Sequence, residues 1–157
     1  MKKFLLAILS AVLLAFDLLT KTWAQTTLKF GQSKVIIDGF FELTYHQNTG
    51  VAWSIGEGGA ITPIVLLISL AVSVYIIYLW FKENDSLLLV ALSLVLAGNL
   101  GNFIDRLALG YVRDMLSFNI FGYAFPVFNF ADTCLVIGVC FVFLHMLIEE
   151  RKEKHHE

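Results

Sequence analysis

The chain has 157 residues, of which 58% are hydrophobic and 15% are charged, against about 45–50% and about 25% in soluble domains. With a mean hydropathy of +0.76, this composition excludes a soluble globule, a coiled coil and a disordered chain. The formal net charge of −2 gives no electrostatic footprint for nucleic acid, so no such partner is expected. Cys134 and Cys140 lie in one apolar run, and we interpret both as small buried hydrophobes.

Four apolar stretches are long enough to be membrane helices, since a hydrocarbon core of about 30 Å requires about 20 apolar residues. We predict a single membrane domain over residues 1–157 with spans at about 4–23, 61–81, 87–106 and 130–148. The first stretch also resembles a secretory signal peptide. However, Asp17 and Lys21 follow it where a cleavage site needs small neutral residues, so we expect a retained helix.

Four spans place both termini on the same side of the membrane. Six positive charges flank the termini and the turn after the second span, and five lie on the other side. Because the clusters at both termini lie close to the spans, we predict cytoplasmic termini. The short turn Lys82–Asp85 predicts an antiparallel hairpin of the second and third helices.

The connection between the first two spans is typical of β-structure. Val35–Tyr45 is rich in β-branched and aromatic residues, with Asp38-Gly39 as a turn. We therefore predict a β-rich outer segment over about residues 28–55 that lies on the membrane surface. Gly56–Gly59 then breaks the chain before the second helix.

Polar side chains are concentrated near the predicted outer ends of the spans. An ionisable residue at membrane depth costs about 2.5–3.5 kcal/mol, which makes each one a functional candidate. The helical period places the polar residues of the third span on one face of the helix. Two glycines and an aspartate lie on a neighbouring face, where the small glycines permit close helix packing. The candidates are Asp17 and Lys21 in the first span, Asn99, Asn102 and Arg106 beside Gly98, Gly101 and Asp105 in the third, and Asn129 and Asp132 in the fourth.

Each group also has a purely structural interpretation. Asp17 and Lys21 are spaced for an interfacial ion pair, and the stripe of the third span suits interhelical hydrogen bonds. Asn129 with Asp132 matches an N-cap followed by a first-turn carboxylate. Asn48-Thr49-Gly50 is compatible with an ordinary turn. The sequence leaves these alternatives open. His145 is interpreted as an interfacial histidine.

Asp114 and Asp132 are the residues on which we base a chemical prediction. Both are expected at the outer membrane boundary, and Phe125-Pro126 between them lets the chain fold back. No serine or cysteine has a well-placed histidine, and neither HExxH nor zinc spacing occurs. Two facing carboxylates share a proton, so one accepts a proton from water and the other hydrogen-bonds the scissile carbonyl. The dipole of the fourth helix favours Asp132 as the anion, which leaves the proton on Asp114.

Two other classes of function use the same residues. A small proton-coupled transporter would employ the carboxylates as a relay, and an assembly subunit would use the amides and the arginine only to hold helices together. Against a transporter, the inner halves of the spans carry almost no charge.

Four blocks of the sequence resemble the bacterial lipoprotein signal peptidases, or signal peptidase II, which are aspartic proteases of the membrane. The joint pattern GNxxDRxxxGxVxD followed by FNxAD is highly specific. The blocks, in the order of the family, are Asp17-Leu-Leu-Thr-Lys21, Asn48-Thr-Gly50-Val-Ala52-Trp53, Gly98 to Asp114, and Phe125 to Asp132.

The resemblance implies a mainly α membrane protein with four transmembrane helices and a small extracytoplasmic β-cradle. It implies a catalytic dyad near the outer face of the bacterial cytoplasmic membrane and cleavage of prolipoproteins on the amino side of a diacylglyceryl-cysteine. It further implies no metal or organic cofactor, contact with membrane lipid and inhibition by globomycin, and we expect a monomer. The implied dyad is Asp114 and Asp132; the residues that line or support the site are Asn48, Gly50, Asn102, Arg106, Asn129, Asp17 and Lys21.

Overall fold

Four long helices and one small sheet make up the computed structural model, which describes residues 1–50 and 62–154. All four helices are long and apolar enough to cross a membrane, so the prediction of a mainly α membrane fold with four spans is confirmed. The helices are α1 (Lys2–Thr27), α2 (Thr62–Lys82), α3 (Ser86–Leu109) and α4 (Phe130–Lys154). The strands are β1 (Ser33–Ile37), β2 (Phe41–Asn48), β3 (Val112–Ile120) and β4 (Tyr123–Ala124).

The first helix is longer than its apolar stretch. It continues to Thr27 because no glycine or proline interrupts it, so Asp17 and Lys21 lie inside the helix and not at its end. The fourth helix also outlasts its apolar stretch and reaches Lys154. Its last turns are charged and carry ion pairs at helical spacing, Lys152 with Glu149 at 2.7 Å among them.

Helix α3 is central and contacts each of the other three helices. Two glycines allow the close approach that was predicted for this face. A Cβ atom at Gly98 would lie 2.8 Å from Leu135 Cγ of α4, and one at Gly101 would collide with the Asp17 carboxylate of α1. On the opposite side, Asn99 Nδ2 donates to the Ser69 carbonyl of α2 at 2.7 Å, so Asn99 joins helices as the structural interpretation expects.

The four strands form one antiparallel sheet in the order β1-β2-β3-β4. The predicted hairpin turns at Asp38-Gly39, where Gly39 has a φ of 67° that suits glycine. Strands β3 and β4 were not predicted, although Leu116–Ile120 alternates apolar and polar residues. The sheet packs on α1 through a buried cluster of Ala24, Leu28, Tyr45 and Met115.

Some sequence predictions fall on positions outside the described residues. These are the Gly56–Gly59 break, the last residues of the second family block (51–53), the end of the β-rich segment (51–55) and the first residue of the second span, Ile61. The interpretation of the cysteines was half wrong, because Cys134 is buried but Cys140 is exposed. Six positions along a helix turn the two side chains in different directions, and the outward face of a membrane helix accepts a small apolar thiol.

Candidate active site

Asp114 and Asp132 line the same cleft, which has a volume of about 480 Å³. Asp114 belongs to β3 and Asp132 to the first turn of α4. The chain folds back between them because Leu116 N donates to the Phe128 carbonyl at 2.8 Å and Phe128 N donates to the Leu116 carbonyl at 3.1 Å. Strand β3, which the sequence analysis missed, therefore carries one carboxylate to the helix that carries the other.

Asp114 is 1% exposed and accepts one hydrogen bond on each carboxylate oxygen. Asn48 Nδ2 donates to Oδ2 at 3.1 Å, and Asn129 Nδ2 donates to Oδ1 at 2.7 Å. Burial and, second, the nearby charge of Asp132 raise the pKa of Asp114 to about 7. This carboxyl is therefore able to keep its proton close to neutral pH.

Asp132 is held by a reciprocal cap at the start of α4. Asp132 N donates to Asn129 Oδ1 at 2.9 Å, and Asn129 N donates to Asp132 Oδ2 at 3.2 Å, as in a capping box. The other oxygen, Oδ1, accepts from Asn102 Nδ2 at 2.7 Å. The cap that was left open as a structural alternative is present, and the same asparagine also binds Asp114.

A buried ion pair supports these amides from α1. Lys21 is 0% exposed and Asp17 is 1% exposed, and Lys21 Nζ lies 2.8 Å from Asp17 Oδ2. Lys21 Nζ also donates to Asn102 Oδ1 at 3.0 Å, while Asp17 Oδ1 accepts from Ala131 N of α4 at 2.8 Å. The pair is therefore an internal link between three helices, and not the interfacial pair considered from the sequence.

Asn48, Gly50 and Arg106 meet at the other side of the cleft. Gly50 N donates to Asn48 Oδ1 at 3.0 Å, which makes an Asx-type turn. Arg106 Nη2 donates to the Gly50 carbonyl at 3.0 Å. The structure thus brings together all nine residues that the sequence analysis placed in or around the site.

One pair close to the site was missed. Arg113 is one of the five positive charges predicted on the outer side, but it is 8% exposed and its Nη2 lies 2.7 Å from Asp105 Oδ1. Asp105 is also 3.7 Å from Lys21. The position of Asp105 beside Gly98 and Gly101 on the packing face of α3 was the signal for its burial, but nothing in the sequence identified its partner.

The described residues, 1–50 and 62–154, contain no group of three or more His, Cys, Asp or Glu side chains placed to hold a metal ion. His145 pairs with Asp85 at 3.3 Å, at the turn between α2 and α3. The chemistry that the cleft offers is that of two carboxyl groups, oriented by amides, with a guanidinium beside them.

Comparison with known proteins decides the family. The model of the signal peptidase (SPase) II family matches residues 9–148. The chain belongs to this family. A lipoprotein signal peptidase of Enterococcus faecalis is 42% identical over 149 residues, covering 94% of this chain and 90% of the relative. One from Staphylococcus aureus is 38% identical over 152 residues, covering 96% and 92%.

Two solved structures have the same fold as this member of the signal peptidase II family. A bacterial membrane enzyme superposes with a TM-score of 0.84 at 37% identity, covering 94% of this chain and 88% of that one. A second has a TM-score of 0.80 at 38% identity and covers 92% of each chain. The chain is therefore a peptidase, hence a hydrolase, and a multi-pass bacterial membrane protein. Membership of a peptidase family decides against the transporter and the assembly subunit.

Proposed function

We propose that this chain is an aspartic endopeptidase that removes the signal peptide of lipoprotein precursors by cutting on the amino side of a diacylglyceryl-cysteine. The observation that carries the proposal is the convergence of Asp114 and Asp132 on one cleft between a sheet and the start of a membrane helix. The similar proteins of Enterococcus faecalis and Staphylococcus aureus are lipoprotein signal peptidases. One chain supplies both carboxyl groups and their amide donors, which supports action as a monomer.

In the proposed mechanism, ionised Asp132 accepts a proton from a water molecule whose oxygen attacks the scissile carbonyl carbon. Protonated Asp114 donates a hydrogen bond to the carbonyl oxygen and stabilises the tetrahedral intermediate. The proton held by Asp132 then passes to the leaving nitrogen as the peptide bond breaks. Two features support this division of roles. Asp132 lies at the N-terminus of α4, where the dipole favours an anion. Asp114 is buried, whereas Asp132 is half-buried.

The walls of the cleft suit a lipid-bearing substrate. Phe125, Phe128 and Val136 line the cleft together with Asp132, and they also line an apolar groove along the start of α4. Acyl chains and an apolar signal helix gain free energy by leaving water for such a surface. Arg106 and the Gly50 carbonyl, on the polar side of the cleft, are suited to holding the peptide backbone.

We further propose cytoplasmic termini and a cleft near the outer face of the bacterial cytoplasmic membrane. Lysines at the α1 N-terminus and basic residues at the end of α4 support this orientation by the positive-inside rule. A C-terminal reporter that is active only in the cytoplasm should be active on this chain, and an active periplasmic reporter at the same place would contradict the proposed orientation.

The function is tested with the purified protein in detergent and a synthetic precursor that carries a diacylglyceryl-cysteine. Mass spectrometry should find one cut, before the lipidated cysteine, and globomycin should prevent it. The same precursor without its lipid serves as the control and should remain intact or react far more slowly. No cleavage of the lipidated precursor, or cleavage at another bond, would refute the proposal.

The pH dependence of kcat/KM should reveal the protonated partner. Because the mechanism needs a proton on Asp114, whose pKa is raised to about 7, kcat/KM should fall about tenfold for each pH unit above about 7. Folding favours the protonated form of Asp114. Its contribution to the free energy of unfolding is therefore fully present in acid and decreases as the pH rises from 3.8, the ordinary pKa of an aspartate, toward about 7. A pH series of initial rates and of Tm checks both trends, and a rate that keeps rising to pH 9 would contradict this assignment.

A further inference from the structure

Arg113 precedes Asp114 in β3 and faces the opposite way. Its guanidinium points toward α1, where Nη1 donates to Thr22 Oγ1 at 3.2 Å and to Gln25 Oε1 at 3.0 Å. Asp114 points toward α4, where Asn129 binds it. Neighbouring residues of a strand lie on opposite faces, so any rotation of this strand that released Arg113 would also turn Asp114 away from the cleft.

The contact between Arg113 and Asp105 is a chelate. The backbone N of Arg113 donates to Asp105 Oδ2 at 3.0 Å, and its side chain donates to both oxygens, through Nη2 at 2.7 Å and through Nε at 3.1 and 3.2 Å. One carboxylate therefore holds the main chain and the side chain of the same residue. Since Asp105 is 1% exposed, this bond is made in a buried setting where charge-assisted pairs are strong.

The chelate closes the turn that leads from α3 into β3. Gly110 ends α3 with a φ of 81°, a conformation that costs glycine little because it has no Cβ atom. Asp105 precedes this glycine and Arg113 follows it. The pair therefore ties the end of α3 to the residue directly before Asp114.

We propose that Arg113, held by its hydrogen bonds to Asp105, is a positioning residue that orients the Asp114 side chain toward the cleft. The inference rests on the proposed function, because it gives Asp114 a part in the reaction. It predicts an effect on the chemical step, transmitted through the backbone of β3, and no direct contact with the substrate.

The test compares Arg113→Gln and Arg113→Lys with the wild-type chain on the lipidated precursor. Misplacing a reacting group by about 1 Å costs up to about 10²-fold, so Arg113→Gln should lower kcat about 10–100-fold and leave KM within about twofold. Lysine keeps the charge but cannot chelate, so Arg113→Lys should be intermediate. Met115→Leu is the matched control, because Met115 is the other chain neighbour of Asp114. This variant should behave as wild type, since it conserves side-chain volume.

A second measurement does not depend on turnover. The infrared band of the protonated Asp114 carboxyl, identified by its absence in Asp114→Asn, reports the titration of this group. Hydrogen bonds from Asn48 and Asn129 favour the ionised form of Asp114. If Arg113→Gln turns the Asp114 carboxyl away from these two donors, its titration should move to higher pH. The charged groups near Asp114 on other elements, Asp132, Lys21 and Arg106, are unchanged in this variant.

The outcomes separate the two proposals. Wild-type kcat and an unshifted carboxyl band in Arg113→Gln, or lower activity explained wholly by a smaller folded fraction, would overturn the positioning role and leave the proposed function intact. Wild-type behaviour of Arg113→Lys beside a defective Arg113→Gln would also overturn it, since charge alone would then suffice. If the wild-type chain does not cut the precursor, the proposed function fails, and the infrared titration still decides whether Arg113 orients Asp114.

Discussion

Replacing Asp114 or Asp132 by asparagine is expected to lower kcat about 10²–10⁴-fold, since acid–base catalysis by one positioned group contributes that much. This corresponds to about 3–5 kcal/mol of lost transition-state stabilisation. The change at Asp114 removes the acidic proton that is shared with the carbonyl oxygen, and the change at Asp132 removes the basic oxygen that accepts the water proton. The measurement is the initial rate of cleavage of the lipidated precursor, normalised to the folded fraction.

The double variant sharpens this prediction. If the two carboxyl groups act as one unit, Asp114→Asn with Asp132→Asn should cost about as much as either change alone, because groups that act together are not additive. Asp38→Asn is the matched control, since it removes a carboxyl from the β1–β2 turn of the same sheet and should leave the rate unchanged. Retention of turnover by either single variant would remove that aspartate from the proposed dyad.

Replacing Lys21 by methionine is expected to destabilise the protein by about 3–5 kcal/mol, the cost of leaving a buried charge without its partner. Methionine fills the space but leaves Asp17, which is 1% exposed, with no cation at 2.8 Å. A chain of this length loses about 2–4 °C in Tm for each kcal/mol, so Tm should fall by about 10 °C. Thermal unfolding in detergent measures the change. The kcat should fall as well, because Asn102 Oδ1 loses one of its two donors and keeps only Asn129 Nδ2.

Two further variants test whether the missing charge is the cause. Adding Asp17→Asn to Lys21→Met removes the orphaned carboxylate and should restore part of the lost stability. Lys152→Met is the matched control, because it breaks an ion pair of similar length, 2.7 Å, that lies exposed on α4; exposed pairs contribute little, so Tm should not change measurably. Equal losses at Lys21 and Lys152, or no rescue by the double change, would contradict the explanation.

The outline of the membrane fold could be predicted because its signals are local. Hydropathy over about 20 residues identifies each span, and the Asp-Gly turn in a β-branched run identifies the β1–β2 hairpin. The ends of the helices were less predictable. The apolar run of α4 stops before its charged last turns, yet helical backbone hydrogen bonds and ion pairs carry it on to Lys154.

Strand β3 illustrates why the site was only partly predictable. Its first residues, Val112-Arg113-Asp114, have no clear apolar alternation, so local pattern does not identify a strand there. Pairing with β2 and the return of Phe128 to Leu116 create it. Such pairing depends on contacts between distant residues, which hydropathy does not encode.

The amino-acid sequence is enough to establish how many helices cross the membrane, which residues are too polar to face lipid, and which family pattern they match. Those properties depend on composition and short-range spacing, which solvation and helical geometry translate directly into structure. The contacts between these residues could be seen only in the folded chain: Lys21 joins Asp17 to Asn102, Asn129 binds both Asp114 and Asp132, and Arg113 binds Asp105. A buried polar side chain must find its partner wherever the packing of helices and sheet brings one within hydrogen-bonding distance, however far away it lies along the chain.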